Sequence, residues 1–310
     1  MRASSLHQLR LLAVAAVAYS AAACSASVST DSGEASEEVG VTRGLVRIER
    51  STTLEPDGAR AYALARFANV SSANADRVLE LLQLTNPLPD VGQCYEADAE
   101  SQPALSGLGR VELLEAGDVT IAAADQATLL APRAFPTVKD LVSGVVYSTR
   151  DQATDPLPAA ASYRITSSGS ALLAPLDITA EAPLSPTDVL LDGLNLGEVG
   201  SLDLNRPVRI AWEPGDDLDP EYRDLMVFEL SDGVSTVLCG FDDLTGQGTV
   251  PQAVLQNSTL ALQDGRGGEA SVALHRVRSV GFTSEGIDEG EIRFDFEVRS
   301  RLRVLRTGAE

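Results

Sequence analysis

The last strand-like segment of the chain constrains the fold more than any other feature. Apolar and charged residues alternate through most of 292–304, with Ile292, Phe294, Phe296, Val298, Leu302 and Val304 in the apolar set and Arg293, Asp295, Glu297, Arg299, Arg301 and Arg303 in the charged set. A period of two places the two sets on opposite faces of a β-strand. The segment therefore predicts a long strand with one face in a core and the other toward solvent.

A hairpin is predicted just upstream. Two apolar runs, 225–230 and 234–241, are joined by Ser231-Asp232-Gly233. If Asp232-Gly233 is a two-residue turn, Met226 lies opposite Cys239. That register places Cys239 on the apolar face, so we expect its side chain to point into a core.

Short strand-like runs fill the rest of the body. They are predicted at 45–48, 61–66, 91–96, 111–114, 119–123, 142–147, 163–166, 176–180 and 208–212. Gly117-Asp118 is typical of a tight hairpin between two of them. Many short strands separated by Gly, Pro and Asp predict an all-β fold of two β-sandwich domains rather than a βαβ fold. Pro183 and Pro186 bound a predicted linker, 183–186, which separates a domain at 43–182 from a second at 187–306.

The second domain resembles known sandwich families. Residues 208–214, Val-Arg-Ile-Ala-Trp-Glu-Pro, resemble the second strand of fibronectin type III and related immunoglobulin-like domains, whose tryptophan fills the core. Cys239, the run Gly248-Thr249-Val250-Pro251 and the closing strand resemble uncharacterised secreted lipoproteins of myxobacterial type. The resemblance covers mainly 205–305. It implies an immunoglobulin-like fold and an exported compartment, with no activity attached.

The first 24 residues predict export. Arg2 and Arg10 flank a short polar start, and the apolar run 11–19 fits the h-region of a signal peptide. It is shorter than the ~20 residues that a membrane-spanning helix needs. The acidic, Ser-, Ala- and Gly-rich segment 25–42 predicts a disordered tether.

The end of this signal leaves two outcomes open. Ala21-Ala22-Ala23-Cys24 resembles the lipobox of bacterial lipoproteins, which implies lipidation of Cys24, although that family usually has Leu where Ala21 stands. Ser25 follows in place of the Asp that retains such proteins in the inner membrane, so the resemblance implies an outer-membrane lipoprotein. Plain cleavage after Ala-x-Ala, giving a secreted or periplasmic protein, is the alternative.

The net charge of the mature chain limits the kinds of molecule that it can be expected to bind. Removal of Arg2 and Arg10 leaves 22 basic residues against 45 acidic ones, a net charge of −23. A body this acidic argues against general nucleic-acid binding, which needs basic surface to neutralise phosphates. The expected partners are the membrane, through the lipid anchor, and an envelope protein or polysaccharide. The charged face of the last strand predicts either a basic stripe for anionic polysaccharide or lipid headgroups or, as we favour, cross-strand ion pairing.

The acidic loops are the only candidates for a metal. Asp217, Asp219 and Glu221 fall at alternate positions, as calcium ligands often do, but Tyr222 stands where an EF-hand needs Gly. A solvated strand connection is the simpler interpretation. The segment 242–246 is a second acidic loop that strand topology could bring near the first.

Catalysis is not expected. His275 is the only histidine after the signal, so any Ser-His-Asp or Cys-His arrangement would have to use it. Its position inside a strand favours a core or rim residue. Cys94 and Cys239 could form a disulfide or remain two buried thiols. We therefore predict a binding or structural module without a cofactor; the alternative is a calcium-dependent carbohydrate-binding protein or an exported hydrolase that uses the acidic loops.

Overall fold

The described residues form nineteen strands. The computed structural model describes residues 40–54, 58–70, 87–98, 111–138, 142–149, 157, 161–215, 223–260 and 267–306. In chain order the strands are β1 (Val41–Thr53), β2 (Ala59–Val70), β3 (Cys94–Asp98), β4 (Val111–Leu113), β5 (Val119–Ala123), β6 (Gln126–Leu129), β7 (Ala131–Val138), β8 (Val142–Ser148), β9 (Ser162–Ser167), β10 (Leu176–Glu181), β11 (Leu190–Leu191), β12 (Leu194–Asn195), β13 (Ser201–Asp203), β14 (Val208–Ala211), β15 (Leu225–Ser231), β16 (Ser235–Asp242), β17 (Gln247–Val250), β18 (Gly267–Ser284) and β19 (Ile287–Leu305). Short 3₁₀ helices at Leu196–Glu198 and Asp243–Thr245 and the helix α1 (Gln252–Asn257) complete the regular structure.

These strands form one large sheet and two small ones. The large sheet has eleven strands in the order β3-β16-β15-β18-β19-β1-β2-β4-β8-β7, with β13 paired to the end of β19. The first small sheet has the order β10-β9-β5-β6 and the second β12-β11-β14-β17. The fold is all-β with several sheets, as the sequence predicted.

Two hydrophobic cores lie on one face of the large sheet. The first core joins residues of β1, β2 and β19 to β5, β9 and β10 of the first small sheet. The second joins β15, β16 and β18 to β11, β14 and β17 of the second small sheet. Trp212 lies in the second core with 4% of its surface exposed, where the sequence resemblance placed it. The alanine face of β2 contributes Ala63 and Ala65 to the first core.

The long hairpin β18–β19 runs through both cores. On β19, Ile292, Phe294 and Phe296 belong to the first core, whereas Val298, Leu302 and Val304 belong to the second. All six are residues that the alternating pattern assigned to the core face, and all are buried. One continuous strand therefore supplies the common layer on which both small sheets pack.

The predicted division into two domains does not hold. The cores do change near 183–186, but residues 38–310 form one compact unit. β1, from the predicted first domain, pairs in parallel with β19, and β3 pairs with β16. The predicted separation failed because strand pairing joins segments that are distant in sequence, which no local pattern records. The strand β1 also begins at Val41, two residues inside the predicted tether.

Two turn predictions need correction. Gly117 and Asp118 do not close a hairpin, because β4 belongs to the large sheet and β5 to the first small sheet. In the second hairpin, Phe228 rather than Met226 lies opposite Cys239, a shift of two residues. The cause is a longer turn, in which the Asp232 carboxylate accepts hydrogen bonds from the backbone N–H groups of two following residues. A shift of two preserves the faces, so Cys239 does point into the core.

Cys94 and Cys239 form a disulfide. They lie directly opposite each other on β3 and β16, with a Cα–Cα distance of 4.1 Å. The bond fixes the outermost strand of the large sheet over the second core. Disulfides of this kind contribute typically about 2–4 kcal/mol to stability.

Candidate functional site

A groove of about 780 Å³ lies largely on the outer face of the large sheet, away from the two cores. Residues that line it include Glu49, Ser51, Arg60, Tyr62, Glu229, Ser271, His275, Asp295, Glu297 and Arg299. Most of these side chains are polar or charged. We treat this groove as the candidate functional site.

Strand alternation explains why the groove is charged. On β19 the residues between the core positions, among them Asp295, Glu297 and Arg299, must point to the opposite face. β1 follows the same rule, with Ile48 in the first core and Glu49 in the groove. The parallel pairing of β1 with β19 sets Glu49 beside Asp295, so the charged positions of both strands share one surface.

His275 lies at the floor of the groove among three carboxylates. Its Nδ1 is 2.8 Å from Asp295 Oδ1, and its Nε2 is 3.2 Å from Glu297 Oε2 and 3.5 Å from Glu229 Oε2. Only 12% of the histidine side chain is exposed. The prediction of a core or rim histidine is therefore right about the burial of His275. It did not include the three carboxylates, which make His275 the centre of an ionic cluster.

This cluster fixes the charge of His275. Burial opposes the charged form, but the surrounding carboxylates, Asp295 first, raise the pKa of His275 well above its ordinary value of 6.5. Burial also works against ionisation of Asp295 and Glu229, yet their pKa values are lowered because His275 stabilises both anions. At neutral pH the floor thus holds an imidazolium between ionised carboxylates.

Glu49 differs from these carboxylates. Burial raises its pKa, and the neighbouring Asp295 and Glu297 add to the effect, while Arg47 at 2.7 Å opposes it. The carboxylate is one-third exposed, at 32%. Glu49 therefore lies on the side of the cluster that solvent reaches.

Arginines add positive charge to the floor. Arg299 Nη2 lies 2.9 Å from Glu297 Oε2 and 3.3 Å from Glu229 Oε1. Further along the same face, Arg293 Nε lies 2.8 Å from Glu291 Oε1. Only the Arg299–Glu229 contact joins different strands, as the favoured prediction of cross-strand ion pairing requires; the other two join residues two apart on β19 itself. The floor is consequently a network of paired charges rather than a free acidic or basic patch.

The other predicted site residues fall into two groups. Cys24, Asp217, Asp219 and Glu221 lie outside the described residues, so lipidation and calcium binding there stay predictions. The second acidic loop is described, and it is structural: Asp243 is 4% exposed at its side chain and pairs with Arg276 at 2.9 Å. Asp243 Oδ2 also accepts a hydrogen bond from the backbone N–H of Gly215, which brings this loop to the start of the first acidic loop.

The described residues contain no cluster of side chains suited to bind a metal ion. Within the ranges described above, no group of three or more His, Cys, Asp or Glu side chains could hold a metal ion. Two of the three carboxylates around His275, those of Glu229 and Glu297, are instead shared with Arg299. What this arrangement offers a ligand is a set of fixed hydrogen-bonding groups on a groove floor.

The sequence did not predict the groove. Nothing in the sequence pairs His275 with Glu229 or Asp295. A usable signal did exist: β1 and β19 both carry charges on their non-core faces. If the pairing of these two strands were known, their apolar core-facing sides and charged outer sides would predict a polar surface on the sheet.

Comparison with known proteins adds no identity. The chain matches no model of a known protein family, and no curated protein matches its sequence. The resemblance of 205–305 to fibronectin type III domains and to myxobacterial lipoproteins therefore stays a prediction. None of the helices in the described ranges is both long and apolar enough to cross a membrane.

Proposed function

We propose that this protein is an exported cell-envelope lipoprotein whose all-β body binds a polysaccharide in the groove of the large sheet, without catalysis. The observation that carries the proposal is the groove itself. It is a concave site of about 780 Å³ with convergent polar groups held in fixed positions. Such a surface suits a ligand rich in hydroxyl groups more than an apolar one.

Tyr62 gives the groove an aromatic wall. It lies on β2 directly opposite Glu49, and its side chain is partly exposed. A tyrosine ring offers an apolar face and a polar tip, a combination that fits a sugar, whose ring faces are apolar and whose edges carry hydroxyl groups. Two hydroxyl-bearing side chains further along β1, those of Ser51 and Thr53, add hydrogen-bonding groups to the same groove.

Binding without catalysis is the simpler proposal for this floor. General acid–base chemistry needs carboxyl groups that are free to exchange protons with a substrate. Here Asp295, Glu229 and Glu297 each contact His275 or Arg299. The predicted alternative is a hydrolase that uses the acidic loops. In the second of these loops, Asp243 is held in a buried ion pair with Arg276 and is not placed to contact a substrate.

Tyr62 provides the test of the groove. Soluble polysaccharides of the envelope type would be titrated against wild type, Tyr62→Ala and Tyr62→Phe by calorimetry. We expect Tyr62→Ala to weaken binding at least about fivefold and Tyr62→Phe to retain it, because the ring supplies most of the contact. Equal binding by all three variants would place the ligand elsewhere on the molecule, and the absence of any polysaccharide binding would reject the proposal.

The lipid anchor needs its own test. Cys24→Ser removes the thiol that the lipobox resemblance marks for acylation, and we expect the protein to move from the membrane fraction to the soluble fraction. Ser25→Ala is the matched control and should leave the protein in the membrane fraction. A Cys24→Ser protein that stays with the membrane would contradict the anchor.

A further inference from the structure

Three arginines along the groove are not used by its ionic floor. Arg50, Arg60 and Arg301 all line the groove. The guanidinium of Arg50 lies over the ring of Phe296, 5.6 Å from its centre. Within the part of the chain that the structure describes, none of the three forms an ion pair. Arg60 and Arg301 are also exposed to solvent.

Unpaired arginines are unexpected on a chain of this composition. Acidic residues outnumber Lys and Arg by 45 to 24, so we expect most arginines to form an ion pair with a carboxylate. Arg299 on the groove floor does so, and so does Arg47 nearby on β1. Arg60 and Arg301 therefore present exposed guanidinium groups to a ligand in this groove, beside the exposed carboxylate of Glu269, although the protein as a whole is negative.

The spacing of these arginines suits an extended ligand. Arg60 lies opposite Ser51, and Ser51 lies beside Glu297, so Arg60 is two strands away from β19, roughly 10 Å. Arg301 is four residues beyond Glu297 along β19, roughly 13 Å. A single small anion would contact one of these arginines. A chain that carries a negative group on successive units could contact both.

We propose that the polysaccharide bound in this groove is anionic, with carboxylate groups on its sugar units, and that Arg60 and Arg301 bind those carboxylates. This inference rests on the proposed function, since it assumes that the groove binds a polysaccharide. The planar guanidinium matches a carboxylate in two parallel hydrogen bonds, which a neutral sugar cannot offer. Ser51 and Thr53 lie between the two ends and are placed to bind hydroxyl groups of the same chain.

The ligand arm of the test compares two forms of one polymer. Polygalacturonate and its fully methyl-esterified form share a backbone and differ in charge. We expect the full-length wild-type protein to bind polygalacturonate at least about tenfold more tightly than the ester, since removal of one charge-assisted hydrogen bond weakens binding by about a factor of ten. The preference should shrink as salt is raised, because exposed charges are screened.

The protein arm removes the two arginines. Arg60→Gln with Arg301→Gln should lower affinity for polygalacturonate at least about tenfold and leave affinity for the ester nearly unchanged. Arg206→Gln with Arg209→Gln is the matched control; it removes the same charge from the exposed surface near the second small sheet, outside the groove lining, and should change affinity less than about twofold. Because Arg60 and Arg301 are exposed, both double variants should fold, which an unchanged melting temperature would verify.

The outcomes separate this inference from the proposed function. Equal binding of polygalacturonate and its ester, unaffected by Arg60→Gln and Arg301→Gln, would overturn the anionic ligand and leave polysaccharide binding in place. Binding of neither polymer nor any other polysaccharide would overturn both proposals. Binding to vesicles of phosphatidylcholine with phosphatidylglycerol, lost in the double variant while polygalacturonate is not bound, would assign the arginines to lipid headgroups and overturn the inference.

Discussion

His275 and Arg276 are neighbours on β18, yet the protein uses their charges differently. Arg276 points to the core side, is 1% exposed, and has a dedicated carboxylate in Asp243. It also donates hydrogen bonds to the backbone carbonyls of Leu184 and Glu213. His275 points to the groove and shares three carboxylates, and its Nε2 lacks a well-aligned hydrogen bond among the described residues.

This contrast separates the charges that hold the sheet together from those that a ligand could contact. A buried charge that is fully satisfied by fixed partners is part of the framework, and here it ties the crossing segment near Leu184 to the sheet between the two cores. A buried charge that several carboxylates share beside a groove has no single dedicated partner, and it lies next to the surface that a ligand would contact. Three substitutions test this contrast.

Asp243→Ala should have the largest effect. It leaves the Arg276 guanidinium buried without a carboxylate, and removal of one partner of a buried ion pair costs about 3–5 kcal/mol. Urea denaturation followed by tryptophan fluorescence would measure the loss, since Trp212 donates a hydrogen bond from its indole to the Asp243 carbonyl. Asp177→Ala is the matched control, because it breaks the exposed Arg164–Asp177 pair and should leave stability unchanged. A similar stability for both variants would remove the framework role of Arg276.

His275→Gln should have an intermediate and pH-dependent effect of about 1–3 kcal/mol. Because the folded-state pKa of His275 is raised well above 6.5, its stabilisation is fully present below pH 6.5 and is lost as pH rises through the folded-state pKa. The difference in unfolding free energy between wild type and variant should therefore be largest near pH 6 and shrink on the alkaline side. The other histidine, His7, lies in the predicted signal peptide. His275 is therefore the only histidine of the mature protein that can titrate in this pH range. A difference that stays constant across this pH range would contradict a charged His275.

Arg299→Gln should have the smallest effect, under about 1 kcal/mol. The Arg299 side chain is 37% exposed, and solvent screens its pairs with Glu229 and Glu297. Their carboxylates keep His275 as a partner, so no buried charge is left alone. Thermal unfolding at low and high salt would measure the loss, which should fall further at high salt. A loss as large as that of Asp243→Ala would show that the floor is framework as well.

Local patterns allowed much of the fold to be predicted. The alternation in 292–304 identified every core residue that β19 places in either core within that range, and the strand at 119–123 has the predicted bounds. The face of Cys239 was also right although its register was wrong, because a shift of two residues keeps side chains on the same side. Such features depend only on the period of two within a strand, which the sequence carries directly.

The candidate site could not be predicted in this way. The groove exists because β1 pairs in parallel with β19, β18 follows on the other side, and β15 adds Glu229, across sequence separations of up to about 250 residues. Nothing local to Glu49 or His275 indicates that they will meet.

The order of apolar and polar residues along each strand is a property of the sequence, and it is enough to predict strands with one core face. The choice of which strands lie side by side depends on the tertiary structure. It placed the segment that carries Cys94 at the edge of the second half of the sheet, which permitted the disulfide with Cys239, and it joined two predicted domains through one hairpin. Burial of one strand face stabilises any segment in which apolar and polar residues alternate, so this property is local. The choice of neighbouring strands depends instead on how the whole sheet packs against both cores.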